Sequence, residues 1–248
     1  MTFLRHLYYL FTFLCLFGCS KQTNNLLTIA ASANLQLTLK ELVTAFEHQT
    51  NIKSTVVLAS SGKLTAQIEA GAPFDIFLSA NKKYPKYLLS KNNTYSTPKT
   101  YALASLSIFS TTFNSRKLNS LLTSEKVTKI AIPNPKTAPY GQIAKEYLQK
   151  TGIYNTIKHK LVFGENVTQT NQFVISGAAS IGFTALATLN KNMYPTINYQ
   201  KIPDSLYTPL EQQSLVLKQK KEAIEFEAFL QSNEAQTILK KYGYGSIQ

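Results

Sequence analysis

The chain has 248 residues, of which 44% are hydrophobic and 16% are charged, and its formal net charge is +13. This length suits one large or two small domains, and the apolar content excludes a disordered chain. The positive charge favours nucleic acid, an anionic membrane surface or small anions as partners. Because the lysines are scattered and no zinc-ligand spacing or RNA-binding aromatic motif occurs, we interpret the charge as a solvated surface and expect no nucleic-acid partner.

The N-terminal segment predicts export and membrane attachment. An apolar run from Leu7 to Phe17 is too short to span a bilayer and is typical of a signal peptide. It ends in LFGC, which resembles the bacterial lipobox. The resemblance implies cleavage before Cys19 and a lipid on its sulfur, so that the protein is extracytoplasmic and anchored to a bacterial membrane. We predict a signal peptide at residues 1–18 and a polar tether at residues 19–25.

The two cysteines limit the chemistry of the exported domain. On this interpretation Cys15 is removed with the signal peptide and Cys19 is the lipidated residue. The remaining chain has no thiol, which excludes a disulfide, a thiolate metal site and a cysteine nucleophile.

Strand patterns and helix patterns then alternate along the chain. The predicted strands are LLTIAAS at 26–32, IKSTVVLAS at 52–60, FDIFLSAN at 74–81, ALASLSIFSTTF at 102–113, KVTKIAIPNP at 126–135, HKLVF at 159–163, the start of SIGFTALATL at 180–189, and EQQSLVLKQ at 211–219. Helical spacing of apolar residues follows at 35–51, 61–70, 82–92, 137–152 and 166–177, with a closing helix pair at 222–244. We expect Pro85 to break the helix at 82–92.

Alternation of this kind predicts an α/β protein with parallel-type sheets flanked by helices. The long β-prone run at 102–113 is a candidate crossing strand between two domains, and 211–219 is a candidate return. We therefore predict one lobe from residues 26–105 plus 212–248, and a second lobe from residues 106–211.

Strand-to-helix junctions are the candidate functional elements. Four of them carry residues suited to a helix start, namely Asn34, Ser60–Gly62, Pro139–Gly141 and Asn166–Thr168. The first amides of a helix lack internal partners and lie at the positive end of the helix dipole, so they bind anions. Two junctions precede the crossing run and two follow it. We expect each lobe to present one pair of helix starts to a shared ligand cleft.

Catalytic motifs are sparse. No GxSxG, Walker or GxGxxG pattern occurs. Ser60 and Lys63 have the SxxK spacing of some serine hydrolases without the companion SDN or KTG motifs, which leaves an exported hydrolase using Ser60 or Ser61 as an alternative. We interpret His48 and His159 as solvated and Asp75 as a structural hydrogen-bond acceptor. We expect no enzymatic activity.

Four ordered motifs carry a family resemblance. They are ASSGKLTAQIEAGAPFDIFLSAN, PYGQIAKEYLQKTG, GENVTQ and SIGFTAL, and the similarity to which they belong extends over nearly the whole mature chain. With them the chain resembles the periplasmic molybdate-binding proteins of ABC importers, the ModA family. The resemblance implies a two-lobed, type II periplasmic-binding-protein fold. It also implies capture of molybdate or tungstate for delivery to a membrane permease, by a monomer without a cofactor.

The resemblance also implies a ligand set. Oxyanion contacts fall on Asn34 through its side-chain and backbone amides, on Ser61 through its hydroxyl and amide, and on Tyr140 and Val167 through their backbone amides. Many relatives add a tyrosine hydroxyl at the position that is Ala185 here, so this hydrogen bond is absent or replaced.

All of these groups are neutral donors, and none is a cation ligand. A donor-only site suits a fully ionised oxyanion and disfavours phosphate, which keeps a proton near pH 7. Sulfate is also fully ionised, so another oxyanion such as sulfate stays as an alternative ligand.

Overall fold

The computed structural model describes residues 26–92, 94–113, 118–190 and 195–246. The predicted signal peptide, the tether and Cys19 lie outside these residues. In the described part of the chain, no helix is both long and apolar enough to cross a bilayer.

The described residues form ten strands in two sheets. The strands, β1 to β10, are Leu26–Ser32, Lys53–Ala59, Ile76–Ser79, Lys99–Ala104, Leu106–Ser110, Ile130–Pro133, Leu161–Gly164, Ile181–Ala185, Asn198–Lys201 and Leu210–Val216. The first sheet has the order β2-β1-β3-β10-β4 and the second has the order β7-β6-β8-β5-β9.

Each sheet has a parallel part and an antiparallel part. β1 runs parallel to β2 and β3, and β6 runs parallel to β7 and β8. β10 is antiparallel to β3 and β4, and β5 is antiparallel to β8 and β9. The parallel strands confirm the expected α/β arrangement. β5 and β10 are antiparallel because each enters its sheet directly after the chain has crossed from the other one, without a crossover helix within its own sheet.

Nine α-helices lie in the described segments. They are α1 to α9, at Gln36–Thr50, Ser61–Glu69, Lys83–Ser90, Leu118–Leu121, Pro139–Lys150, Tyr154–Ile157, Val167–Ile175, Lys221–Phe229 and Asn233–Lys241. Helices α2 and α8 contact β1, whereas α5 and α7 contact β6 and β8. The closing helices also bury aromatic rings against α1. Phe226 meets Phe46 edge to face, with ring centroids 5.0 Å apart.

The crossing between the sheets differs from the prediction. The run at 102–113 is not one strand, because β4 ends at Ala104 in the first sheet and β5 begins at Leu106 in the second. The predicted return strand is an inner strand of the first sheet, β10, which begins at Leu210. The chain returns between β9 and β10. The residues of β9 are polar or partly exposed and give no apolar signal for the strand that precedes the return.

Two helix predictions are also wrong in detail. Pro85 is the third residue of α3, and it does not break the helix because first-turn amides have no internal acceptor. Asn34 does not cap a helix. It lies in a 3₁₀ turn, Ala33–Leu35, and α1 begins at Gln36 without a side-chain cap. The Asn34 side chain is bound elsewhere, as described below.

Candidate functional site

Two neighbouring serines open α2 with different roles. Ser60 is the N-cap, and its Oγ accepts a hydrogen bond from the Lys63 amide at 3.4 Å, which confirms the predicted cap. Ser61 is the first helical residue and is fully buried. Its Oγ accepts from the Ala80 amide at 3.0 Å. This bond uses a lone pair, so the hydroxyl hydrogen of Ser61 can be donated to another acceptor.

Asn34 is held through its side chain. Its Nδ2 donates to Gln212 Oε1 at 3.0 Å and to the Tyr244 hydroxyl at 2.9 Å. The Tyr244 hydroxyl donates in turn to the Asn34 carbonyl oxygen at 3.1 Å. Both amide hydrogens of the side chain are thus committed inside the protein. A side-chain contact with an anion would require one of these bonds to be given up, whereas the backbone amide is bound by neither.

The start of α5 is packed tightly against the end of β6. A Cβ on Gly141 would lie 2.1 Å from the Pro133 carbonyl oxygen, so only glycine permits this approach. The Tyr140 amide lies in the first turn, ahead of any internal acceptor. The Tyr140 side chain is buried, and its hydroxyl accepts from Gln212 Nε2 at 3.5 Å. Burial raises the pKa of this hydroxyl well above its ordinary value.

The start of α7 is closed by reciprocal capping. Asn166 is the N-cap, and its Oδ1 accepts from the Gln169 amide at 3.1 Å. The Gln169 side chain accepts from the Glu165 amide at 2.6 Å. Asn166 is therefore a side-chain N-cap, and the Gln169 side chain satisfies the amide of the residue before it. Val167 is the first helical residue, one position after the predicted start at residue 166, and its side chain is buried.

Contacts between elements that follow strands of the first sheet and elements that follow strands of the second link these helix starts. The Gly62 amide donates to the Thr137 carbonyl oxygen at 2.9 Å, which joins the start of α2 to the loop before α5. Lys63 Nζ lies 2.7 Å from Glu165 Oε1, directly before α7. The turn that holds Asn34 also contacts α7.

We call Asn34, Ser61, Tyr140 and Val167 the junction cluster. All four residues are buried, and two of them, Asn34 and Ser61, follow strands of the first sheet, whereas Tyr140 and Val167 follow strands of the second. This region offers neutral hydrogen-bond donors at helix starts, and such donors bind anions.

The structure provides no support for hydrolysis at this place. Ser60 accepts from the Lys63 amide, and Lys63 Nζ is paired with Glu165, so the SxxK residues are engaged in structural contacts. Among the described residues, no group of three or more His, Cys, Asp or Glu side chains could hold a metal ion.

Two sequence interpretations outside the cluster are confirmed. His48 and His159 are exposed. Asp75 is buried and structural, because its Oδ2 accepts from the Thr28 amide at 2.8 Å and pairs with Lys220 at 2.8 Å.

Ala185 ends β8 and is fully buried. The hydroxyls of Thr184 and Thr188, beside it in the chain, lie 3.1 Å apart, and the Thr188 hydroxyl donates to the Ala185 carbonyl oxygen at 2.8 Å. Ala185 itself presents only a methyl group.

Sequence reasoning missed Gln212 and Tyr244, which bind Asn34. The only signal for Gln212 is a pair of glutamines at the start of a β-prone run. A sequence alone does not show which of the two faces inward, and a C-terminal tyrosine gives no sign of a partner 210 residues earlier.

Comparison with known proteins gives a consistent result. A family model described as bacterial extracellular solute-binding protein matches residues 27–245. The chain is 32% identical to the molybdate-binding protein ModA of Azotobacter vinelandii, over 93% of each chain. It is 33% identical to the molybdate-binding protein ModA of Rhodobacter capsulatus, over 87% of this chain and 86% of that one.

A solved structure extends this likeness to the fold. The A. vinelandii periplasmic molybdate-binding protein matches with a TM-score of 0.82 at 29% identity, covering 90% of this chain and 100% of that one. This match confirms the predicted two-lobed periplasmic-binding-protein architecture.

Proposed function

Because the chain belongs to the bacterial extracellular solute-binding proteins, we propose that it captures molybdate or tungstate and delivers the anion to the permease of an ABC transporter. Two relatives named for molybdate binding, each at least 32% identical, support this ligand. The observation that supports the proposal is the set of contacts between junctions of the two sheets, in which the Gly62 amide donates to the Thr137 carbonyl oxygen, Lys63 pairs with Glu165, and the Asn34 turn contacts α7.

Each of the four junctions contributes hydrogen-bond donors for the proposed anion. Ser61 offers its hydroxyl hydrogen and its first-turn amide, and Tyr140 and Val167 offer first-turn amides. Asn34 offers its backbone amide, since its side-chain hydrogens bind Gln212 and Tyr244. Hydrogen bonds to a charged acceptor are about twice as strong as neutral ones, and helix dipoles add to them. A dianion is therefore held without a counter-cation, and the protein binds it without turnover.

We also propose where the protein lies in the cell. The LFGC motif supports cleavage after Gly18 and lipid attachment at Cys19, which would tether the protein outside the cytoplasm as a monomer beside its permease.

A thermal-shift titration of the purified protein tests the ligand. A ligand at 100 times its dissociation constant stabilises the folded state by about 2.7 kcal/mol. We expect micromolar molybdate and tungstate to raise the melting temperature, and sulfate to leave it unchanged. A rise with sulfate or phosphate and none with molybdate would contradict the proposal and favour another oxyanion.

A further inference from the structure

Gln212 is a fully buried glutamine whose side chain contacts two members of the junction cluster. Its Oε1 accepts from Asn34 Nδ2 at 3.0 Å and from the Tyr101 hydroxyl at 3.1 Å. Its Nε2 donates to the Tyr140 hydroxyl at 3.5 Å. Asn34 follows β1 of the first sheet, and Tyr140 begins a helix packed on the second. One side chain therefore links a helix start of each lobe.

The backbone of β10 aims this side chain inward. The register of β10 against β4 shifts between Gln212 and Gln213, and such an irregularity re-aims neighbouring side chains. Gln213 binds the Thr100 hydroxyl at 3.2 Å instead and is partly exposed. Burying an amide is costly unless it is hydrogen-bonded, and Gln212 meets this condition with partners from both lobes.

Few hydrogen bonds fix the Asn34 side chain. Asn34 Oδ1 is buried and has no hydrogen-bond partner among the residues that the structure describes. The side-chain amide is thus fixed through Nδ2 alone, by Gln212 and Tyr244. Removing Gln212 would take away one of these two bonds and also the link to Tyr140.

We propose that Gln212 is a positioning residue of the oxyanion site, which holds the Asn34 turn and the start of α5 at the separation from which their amides reach one anion. Gln212 acts through Asn34 and Tyr140 and donates nothing to the anion itself. This inference rests on the proposed function.

Calorimetric titration with molybdate tests it. Gln212→Met keeps the volume of the side chain and removes its hydrogen bonds, and we expect it to raise the dissociation constant by about tenfold or more, the equivalent of about 1.4 kcal/mol. Gln213→Met is the matched control on the same strand, and we expect a change of less than about twofold. Equal dissociation constants for wild type and Gln212→Met would overturn the inference.

A thermodynamic cycle separates positioning from a general loss of stability. In an Asn34→Ser background, which keeps the backbone amide, Gln212→Met should weaken binding less than it does in the wild type, because the part of its effect that passes through the Asn34 side chain is already lost and only the part through Tyr140 remains. A full additive effect would overturn the inference.

Tyr140→Phe is the second variant, and it decides the question if Gln212→Met does not fold. It keeps the Tyr140 amide and removes the hydroxyl that binds Gln212, so we expect a dissociation constant that is several times higher. An unchanged constant would count against the inference, and failure of the wild type to bind molybdate would reject the proposed function together with it.

Discussion

Ser60 and Ser61 are adjacent, but they have different roles because Ser60 precedes α2 and Ser61 is its first residue. Ser60 has extended backbone angles and caps α2, whereas Ser61 has already entered the helix and directs its hydroxyl to the Ala80 amide. The cap stabilises the helix. The next residue combines an unbound first-turn amide with a hydroxyl hydrogen, and this combination suits an anion.

Replacing each serine by alanine should therefore give different results. Ser61→Ala should weaken molybdate binding by about tenfold or more, because a charge-assisted hydrogen bond is lost. It should also lower the free energy of unfolding of the free protein by about 1–3 kcal/mol, because the buried Ala80 amide loses its acceptor. Ser60→Ala should lower the free energy of unfolding by about 1 kcal/mol through loss of the cap, with a smaller effect on affinity. Calorimetric titration and urea unfolding measure the two quantities. The reverse pattern would move the ligand contact to Ser60.

At the scale of elements, the starts of α2 and α7 are joined by an ion pair. Lys63 and Glu165 are each about half exposed, and their charged atoms are 2.7 Å apart. Close by, Gly62 approaches Thr137 so closely that a Cβ would lie 2.7 Å from its carbonyl oxygen. These contacts join the two lobes beside the junction cluster and stabilise the arrangement that the structure shows.

Breaking the ion pair should loosen that arrangement modestly. An exposed pair contributes about 0.2–1 kcal/mol, so Lys63→Gln should raise the dissociation constant for molybdate by at most about fivefold. The effect should fade at 1 M salt, where charges are screened within about 3 Å. The exchanged pair Lys63→Glu with Glu165→Lys should restore most of the affinity.

Lys53→Gln serves as the control, because Lys53 pairs with Glu47 at 3.2 Å within the part of the molecule built on the first sheet. It should leave affinity unchanged. If Lys63→Gln and Lys53→Gln have the same effect, the ion pair does not act between the lobes.

At the scale of the whole molecule, a buried tyrosine network lies between the two sheets. Burial raises the pKa of Tyr101 well above the ordinary value of 10.0, and Tyr140 is shifted in the same direction. Both hydroxyls therefore stay neutral through the physiological range. The proposed amide and hydroxyl donors do not titrate there either.

Molybdate affinity should consequently be constant within about twofold from pH 6 to pH 9. Between pH 6 and pH 11, the stability that these tyrosines contribute should change only at the alkaline end. A raised tyrosine pKa in the folded state stabilises the protein fully below pH 10, and this stabilisation is lost as the pH rises above it, because the unfolded chain ionises first. Titration calorimetry and urea unfolding from pH 6 to pH 11 test both statements. An affinity that falls steeply between pH 6 and pH 9 would place a titrating group in the site.

The sequence by itself determined the α/β class and the four junctions, because periodic apolar residues and capping residues are local signals. The cap at Ser60, the cap at Asn166 and the start of α5 all follow from a few neighbouring residues. The choice of Ser61 as a ligand candidate came from the family resemblance, and it stays a prediction.

Only the tertiary structure decided how the junctions are held together. Asn34 carries the local signal of a helix cap, yet Gln212 and Tyr244, about 200 residues away in the chain, take both hydrogens of its side chain. The change of sheet at Ser105 and the inward direction of Gln212 are set by partner strands. Such contacts depend on which elements meet in space, and a local pattern of residues contains no information about a distant partner.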